Sequence, residues 1–72
     1  MSEEMLDSPL LRTEALVDQA DRRVVKQRRL VARLEREGQD SLAARTLLAQ
    51  LEERRNLHLA ERDRLLKELG KQ

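Results

Sequence analysis

Cysteine, phenylalanine, tyrosine and tryptophan are absent from this 72-residue chain, and histidine occurs once. Without cysteine there is no disulfide, and one histidine is too few for the usual zinc sites. Because a chain of this size buries little surface on its own, oligomerisation remains as the source of extra stability. The lack of aromatic rings also removes the side chains that stack on nucleic-acid bases and that most often anchor interfaces.

Long apolar runs are also absent: no stretch approaches the roughly 20 residues that a membrane-spanning helix requires. The first residues, Met1-Ser2-Glu3-Glu4, are acidic, unlike the basic start of a secretory signal. We therefore predict a cytoplasmic protein without a membrane partner. The chain has no glycine-rich phosphate loop and no cluster of catalytic side chains. We predict that it is not an enzyme and that it needs no cofactor and no metal.

Charged residues make up 40% of the chain and all of its apolar residues are aliphatic, a composition typical of long helices and coiled coils. Ser8 can cap the amides of a helix, and Pro9 suits its first position. Gly38 can end that helix, and Asp40 or Ser41 can cap the next one. The predicted order is a flexible acidic tail at 1–7, helix 1 at about 9–37, a turn at 38–40, helix 2 at about 41–69 and a tail at 71–72.

Apolar residues recur at seven-residue steps in both predicted helices, as in helices that pack along a seam. Because the link between the helices is short, they are expected to be antiparallel neighbours. We predict an all-α fold, a coiled-coil-like antiparallel two-helix hairpin. Its predicted seam contains Leu10, Val17, Ala20, Val24, Gln27, Val31, Leu34, Ala44, Leu48, Leu51, His58, Leu65 and Leu69.

The charge pattern favours the same pairing. Residues 1–21 carry a net charge of −5 and residues 22–36 carry +6, whereas residues 37–53 carry −3 and residues 54–72 carry +3. An antiparallel hairpin places the basic half of helix 1 beside the acidic half of helix 2. Exposed ion pairs contribute little to stability, so the pattern indicates orientation only.

Several apolar residues fall outside this seam, namely Leu11, Val25, Leu42 and Leu57. Two hairpins that pack into a four-helix bundle would cover some of them, so we expect a homodimer. The alternative is that they are ordinary exposed apolar residues.

His58 is predicted to lie on the seam opposite Ala20. It is interpreted as a structural histidine that bonds to Gln27, Glu61 or a neighbouring chain, and the alternatives are a pH switch, a metal ligand or a phosphoryl acceptor. Three polar residues interrupt the apolar pattern and are expected to fix register and oligomeric state, with a polar ligand pocket as the alternative: Gln27, Arg55 and Arg62.

Helix 1 also carries a dense basic stretch, which is a possible anion or nucleic-acid contact: Arg22, Arg23, Lys26, Arg28, Arg29 and Arg33. On a helix these residues spread around most of the circumference. They are interpreted as a solvated or salt-bridged face, and the alternatives are contact with nucleic acid or with an acidic protein.

The segment from Gln27 to Leu69 resembles a group of short, uncharacterised bacterial helical-hairpin proteins with a glycine-centred turn and a similar last helix. The residues that carry the resemblance are Leu34, Gly38, Ala44, Leu47, Leu48, Leu57-His58, Arg62-Asp63-Arg64-Leu65-Leu66 and Glu68-Leu69. The resemblance implies a bacterial cytoplasmic hairpin and no chemistry. From the residues themselves, we predict a self-associating protein-interaction module that serves as a small regulator or adaptor. The alternative is a small nucleic-acid-associated regulator.

Overall fold

The computed structural model describes residues 8–70, which form two α-helices joined by a short turn. Helix α1 is Pro9–Arg36 and helix α2 is Leu42–Gly70. The two helices pack against each other, which confirms the predicted all-α hairpin. Contacts that advance along α1 move backwards along α2, so the helices are antiparallel. The tails predicted at 1–7 and 71–72 lie outside the described residues.

Helix α1 begins after Ser8, whose main-chain oxygen accepts a hydrogen bond of 3.0 Å from the amide of Arg12. Pro9 occupies the start of the helix, as predicted. The prediction that the Ser8 side chain caps the helix is wrong, because its hydroxyl makes no capping hydrogen bond. Proline has no N–H and therefore already removes one of the amides that a cap would satisfy.

The turn closes α1 with two hydrogen bonds. The amide of Gln39 donates to the oxygen of Leu34 at 2.8 Å, and the amide of Gly38 donates to the oxygen of Glu35 at 3.2 Å. This is a Schellman motif, which requires a left-handed residue after the C-cap. Gly38 supplies it with a φ of 69°. Glu37 is the C-cap, so α1 ends one residue earlier than predicted.

The side chain of Asp40 bonds to the first residue of helix α2. The Asp40 carboxylate oxygen Oδ1 accepts a hydrogen bond of 2.9 Å from the amide of Leu42, and the main-chain oxygen of Ser41 accepts one of 2.8 Å from Arg45. Ser41 is itself buried, although the sequence pattern did not place it in the core. Helix α2 is therefore displaced by one residue from its predicted range.

The core is thin and lies mainly on α1. Among residues 8–70 its buried apolar side chains are Val17, Ala20, Val24 and Val31, and of these Val24 is completely buried. Thr13 is buried on the same stripe. Among the described residues, α2 has no buried side chain, and its inner stripe is half-buried. Leu69, which was predicted to lie on the seam, is 54% exposed because it belongs to the last turn of the hairpin's open end.

Candidate protein-interaction groove

The hairpin has two long faces, one on each side of the seam, and one of these faces carries ion pairs between the helices. Arg28 contacts Glu52 at 2.8 Å, and Arg55 contacts Asp21 at 3.8 Å. Asp21 and Arg28 are seven residues apart and so share one stripe of α1. This side is called the ion-paired face below. Asp21 and Glu52 each have a cationic partner on the other helix here.

An open groove lies on the other face, near the turn. Its aliphatic lining consists of Leu30 on α1 and of Leu47 and Leu51 on α2. Leu30 is two residues beyond Arg28, a rotation of roughly 200° around the helix, so this leucine points away from the ion pairs, whereas Ala32, which also lines the groove, is one turn beyond Arg28. The groove has a volume of about 900 Å³.

Gln27 also lines the groove and holds the two helices together there. Its side-chain nitrogen Nε2 donates a hydrogen bond of 2.9 Å to the main-chain oxygen of Ala44. Gln27 lies on the seam as predicted, and its hydrogen-bond partner is Ala44, whereas His58 was a partner expected from the sequence. A partly buried polar residue with a satisfied hydrogen bond suits a role in fixing the register of the helices.

Five cationic side chains line the same groove: Arg23, Lys26, Arg29, Arg33 and Arg36. Among residues 8–70, none of these five has a carboxylate oxygen within 4.0 Å. Two other members of the predicted basic set do have partners, since Arg22 contacts Asp18 at 2.9 Å and Arg28 contacts Glu52. Within residues 8–70 the structure therefore gives ion-pair partners to part of the basic stretch, and Lys26 and Arg29 line both the groove and a pocket beside Asp21 and Val25.

The groove continues towards the open end of the hairpin. This second part has a volume of about 400 Å³ and shares Arg23 and Leu51 with the first. His58 lines it together with Ala20, the residue predicted to lie opposite. In the described part of the chain the imidazole forms no hydrogen bond to Gln27 or Glu61. Leu16, which is 43% exposed, completes the apolar lining.

The two arginines on the inner stripe of α2 are incompletely satisfied. The Nε atoms of Arg55 and Arg62 are buried and have no hydrogen-bond partner in the described structure. Arg62 contacts Asp63 at 3.5 Å, a long and weak ion pair. Both arginines lie on the half-buried stripe of α2. Sequence periodicity alone does not reveal unsatisfied donors.

Exposed charges at the end of α2 form a local network centred on Arg64. Its guanidinium contacts Glu61 at 2.7 Å and Glu68 at 2.6 Å. The hydrogen bond from Arg64 lowers the pKa of Glu61, and the carboxylates raise the pKa of Arg64. The network lies outside the groove and stabilises charges on a single helix.

Neither described helix contains a segment apolar enough to span a bilayer. Within residues 8–70, no three potential ligands among His, Cys, Asp and Glu come together at a metal-binding distance.

No protein-family model, curated protein or solved structure matches this chain. The resemblance of residues 27–69 to short bacterial hairpin proteins stays a prediction. The function must be argued from the hairpin and its surfaces.

Proposed function

We propose that this chain is a non-enzymatic protein-interaction module, a helical hairpin whose apolar surface is completed by helices of another chain. The observation that carries the proposal is the thin core. Only Val24 is fully buried, and α2 buries no side chain among the described residues. A second copy of the hairpin is the simplest source of the missing helices, in a four-helix bundle.

The exposed aliphatic side chains supply the driving force for such an assembly. Full burial of one Leu or Val contributes about 1.5–3 kcal/mol, so covering four half-exposed ones contributes roughly 3–6 kcal/mol. That amount is comparable to the total stability expected of a domain this small. The large apolar residues that remain exposed in the hairpin are Leu11, Leu16, Val25, Leu42, Leu47, Leu57, Leu66 and Leu69.

The ion-paired face is the surface proposed for a second copy. Its cross-helix charges are paired as Asp21–Arg55 and Arg28–Glu52, and Lys26 and Arg29 also lie beside Asp21 and Val25 there. Val25 follows the same side of α1 and is 44% exposed, and Leu66 is exposed on α2. These two residues are candidates for contact with the second chain.

A nucleic-acid function is the alternative, because several cations around the groove have no carboxylate partner. The aliphatic lining of the groove disfavours this alternative, because proteins usually bind single-stranded nucleic acid by stacking its bases on aromatic rings, which this chain lacks. A nucleic-acid complex would weaken steeply as salt rises, and replacing Arg23, Arg29 and Arg33 together would abolish it.

The test is the solution mass by light scattering, with helicity by circular dichroism on the same sample. A highly helical particle of twice 8.4 kDa supports the self-associating form of the proposal. Replacing Val25 and Leu66 with Gln is expected to shift this particle to a monomer. The matched control replaces Ala15 and Ala60, which are exposed small residues, with Gln. A fully helical monomer at every concentration would contradict self-association.

A further inference from the structure

We propose that the groove beside Leu30, Leu47 and Leu51 binds an amphipathic helix with acidic flanks that belongs to a different protein. The inference rests on the proposed interaction function and names the chemistry of the partner. It starts from two properties of one surface. The lining is aliphatic, and the surrounding charges are all positive.

The dimensions of the groove suit a helix. Its two parts extend along α1 from Leu16 to Arg33, roughly 26 Å at 1.5 Å per residue. The axis of a third helix that packs between two helices lies about 8–10 Å from each of their axes. Leu16 and Leu47 are 43% and 44% exposed, so they can still bury surface against such a stripe.

The charges select an acidic partner. Arg23, Lys26 and Arg33 line the groove without an ion-pair partner in the described chain, unlike Arg22 and Arg28. Glutamates or aspartates that flank the apolar stripe of a bound helix would meet these cations. Such complementarity contributes to specificity and to the rate of association.

The same charges disfavour a second copy of this hairpin as the occupant. Two copies that join through identical surfaces place the residues nearest the two-fold axis beside their own counterparts. Arg23 and Arg54 line the second part of the groove, so an axis at that point would bring four arginines together. A dimer formed through the ion-paired face, where Arg28 and Arg55 have carboxylate partners, would leave the aliphatic wall of the groove free.

The test uses a fluorescent synthetic peptide of about 21 residues, roughly 31 Å long as a helix, with leucines at heptad a and d positions and glutamates beside them. Binding is measured by fluorescence anisotropy. One control peptide has lysine in place of each glutamate, and a second has glutamine in place of each leucine. We expect the acidic amphipathic peptide to bind at least about tenfold more tightly than either control, a difference of about 1.4 kcal/mol.

Paired protein variants locate the binding surface. Arg23→Glu with Arg33→Glu should weaken binding at least about tenfold. Arg22→Glu with Arg45→Glu changes the net charge equally, but Arg22 lies beside Asp18 and Arg45 does not line the groove, so binding should be retained. Leu30→Ala with Leu47→Ala should also weaken binding, whereas Leu42→Ala with Leu57→Ala should not. Circular dichroism of each variant shows whether it is folded. If a leucine variant unfolds, the two arginine variants, whose replaced side chains are exposed, still test the binding surface.

Three results would overturn the proposal. Equal loss of binding in both arginine pairs would indicate attraction by net charge alone. A change in the protein's own mass on reversal of Arg23 and Arg33 would identify the groove as the self-association surface. Displacement of the peptide by a DNA duplex at matched charge would assign the groove to nucleic acid. The mass of each sample without peptide is measured separately, so loss of self-association is distinguished from loss of peptide binding.

Discussion

Gln27 and Ala44 join the two helices of the hairpin through a partly buried hydrogen bond of 2.9 Å from the Gln27 side chain to the Ala44 main-chain oxygen. The bond fixes α1 against the first turns of α2, directly beside the groove. A typical hydrogen bond of this kind contributes roughly 0.5–1.5 kcal/mol. The register of the groove's two walls therefore depends on this contact.

Replacing Gln27 with Ala is expected to lower the free energy of unfolding by about 1 kcal/mol, because both the hydrogen bond and the packing of the side-chain stem are lost. Urea denaturation at fixed chain concentration measures the change. Gln19→Ala serves as the control, since Gln19 is exposed and should change stability by less than about 0.5 kcal/mol. Equal effects at the two positions would show that the Ala44 contact does not hold the hairpin.

Sequence patterns predicted the hairpin, its turn at Gly38 and the residues of the α1 core, because periodicity reveals which side of a helix is apolar. They did not predict that α2 has no buried side chain among residues 42–70. Arg55 and Arg62 occupy its inner stripe, and the Nε atom of each is buried without a hydrogen-bond partner in the described structure. Nor does the sequence show which members of a basic stretch find carboxylate partners, since that depends on side chains brought near by the fold, as Glu52 is to Arg28.

Val24 and Val25 provide a test of the core within two adjacent residues. Val24 is 0% exposed and Val25 is 44% exposed. Val24→Ala is expected to cost about 2 kcal/mol, because buried methyl groups are removed and a cavity remains. Val25→Ala should change the monomer's stability by less than about 0.5 kcal/mol, since alanine favours the helix.

The comparison uses urea denaturation at low chain concentration, where self-association contributes least. A similar loss for both valines in that regime would contradict a core confined to the Val24 stripe. Because neither substitution introduces charge, the comparison isolates burial from electrostatics.

The caps of the two helices should differ in energetic importance. Asp40→Ala removes the acceptor of the Leu42 amide and is expected to cost about 1 kcal/mol. Ser8→Ala should be nearly neutral, because the Ser8 hydroxyl makes no capping hydrogen bond. Thermal denaturation followed by circular dichroism measures both. A larger loss for Ser8→Ala than for Asp40→Ala would reverse the assignment of the caps.

The Glu61–Arg64 contact predicts a pH dependence with a defined sign. The hydrogen bond from Arg64 lowers the pKa of Glu61 from its ordinary value of 4.5. A carboxylate whose pKa is lowered by folding stabilises the folded state above its unfolded pKa, and this contribution is lost as the pH falls through the folded pKa. The Glu61–Arg64 contact should therefore stabilise the helix less under acidic conditions.

NMR titration of the Glu61 carboxyl carbon between about pH 2 and pH 7 measures this pKa directly. In Arg64→Gln the midpoint should rise towards 4.5. Arg45→Gln is the control, because Arg45 lies near the other end of α2. An unchanged midpoint in Arg64→Gln would show that the guanidinium does not control the Glu61 proton.

A comparison of Gly38 with Gly70 separates the backbone conformation that the turn requires from steric clashes of an added side chain. An added Cβ would meet no atom within 4 Å at either glycine. Only Gly38 has a positive φ, 69°, where an alanine is strained by about 1–2 kcal/mol. Gly38→Ala is therefore expected to lower the free energy of unfolding by about 1 kcal/mol, and Gly38→Asn by less, because asparagine tolerates the left-handed region. Gly70→Ala should be neutral within about 0.5 kcal/mol. Urea denaturation measures the three variants: if Gly38→Ala were as harmless as Gly70→Ala, the left-handed conformation at Gly38 could not be what stabilises the turn.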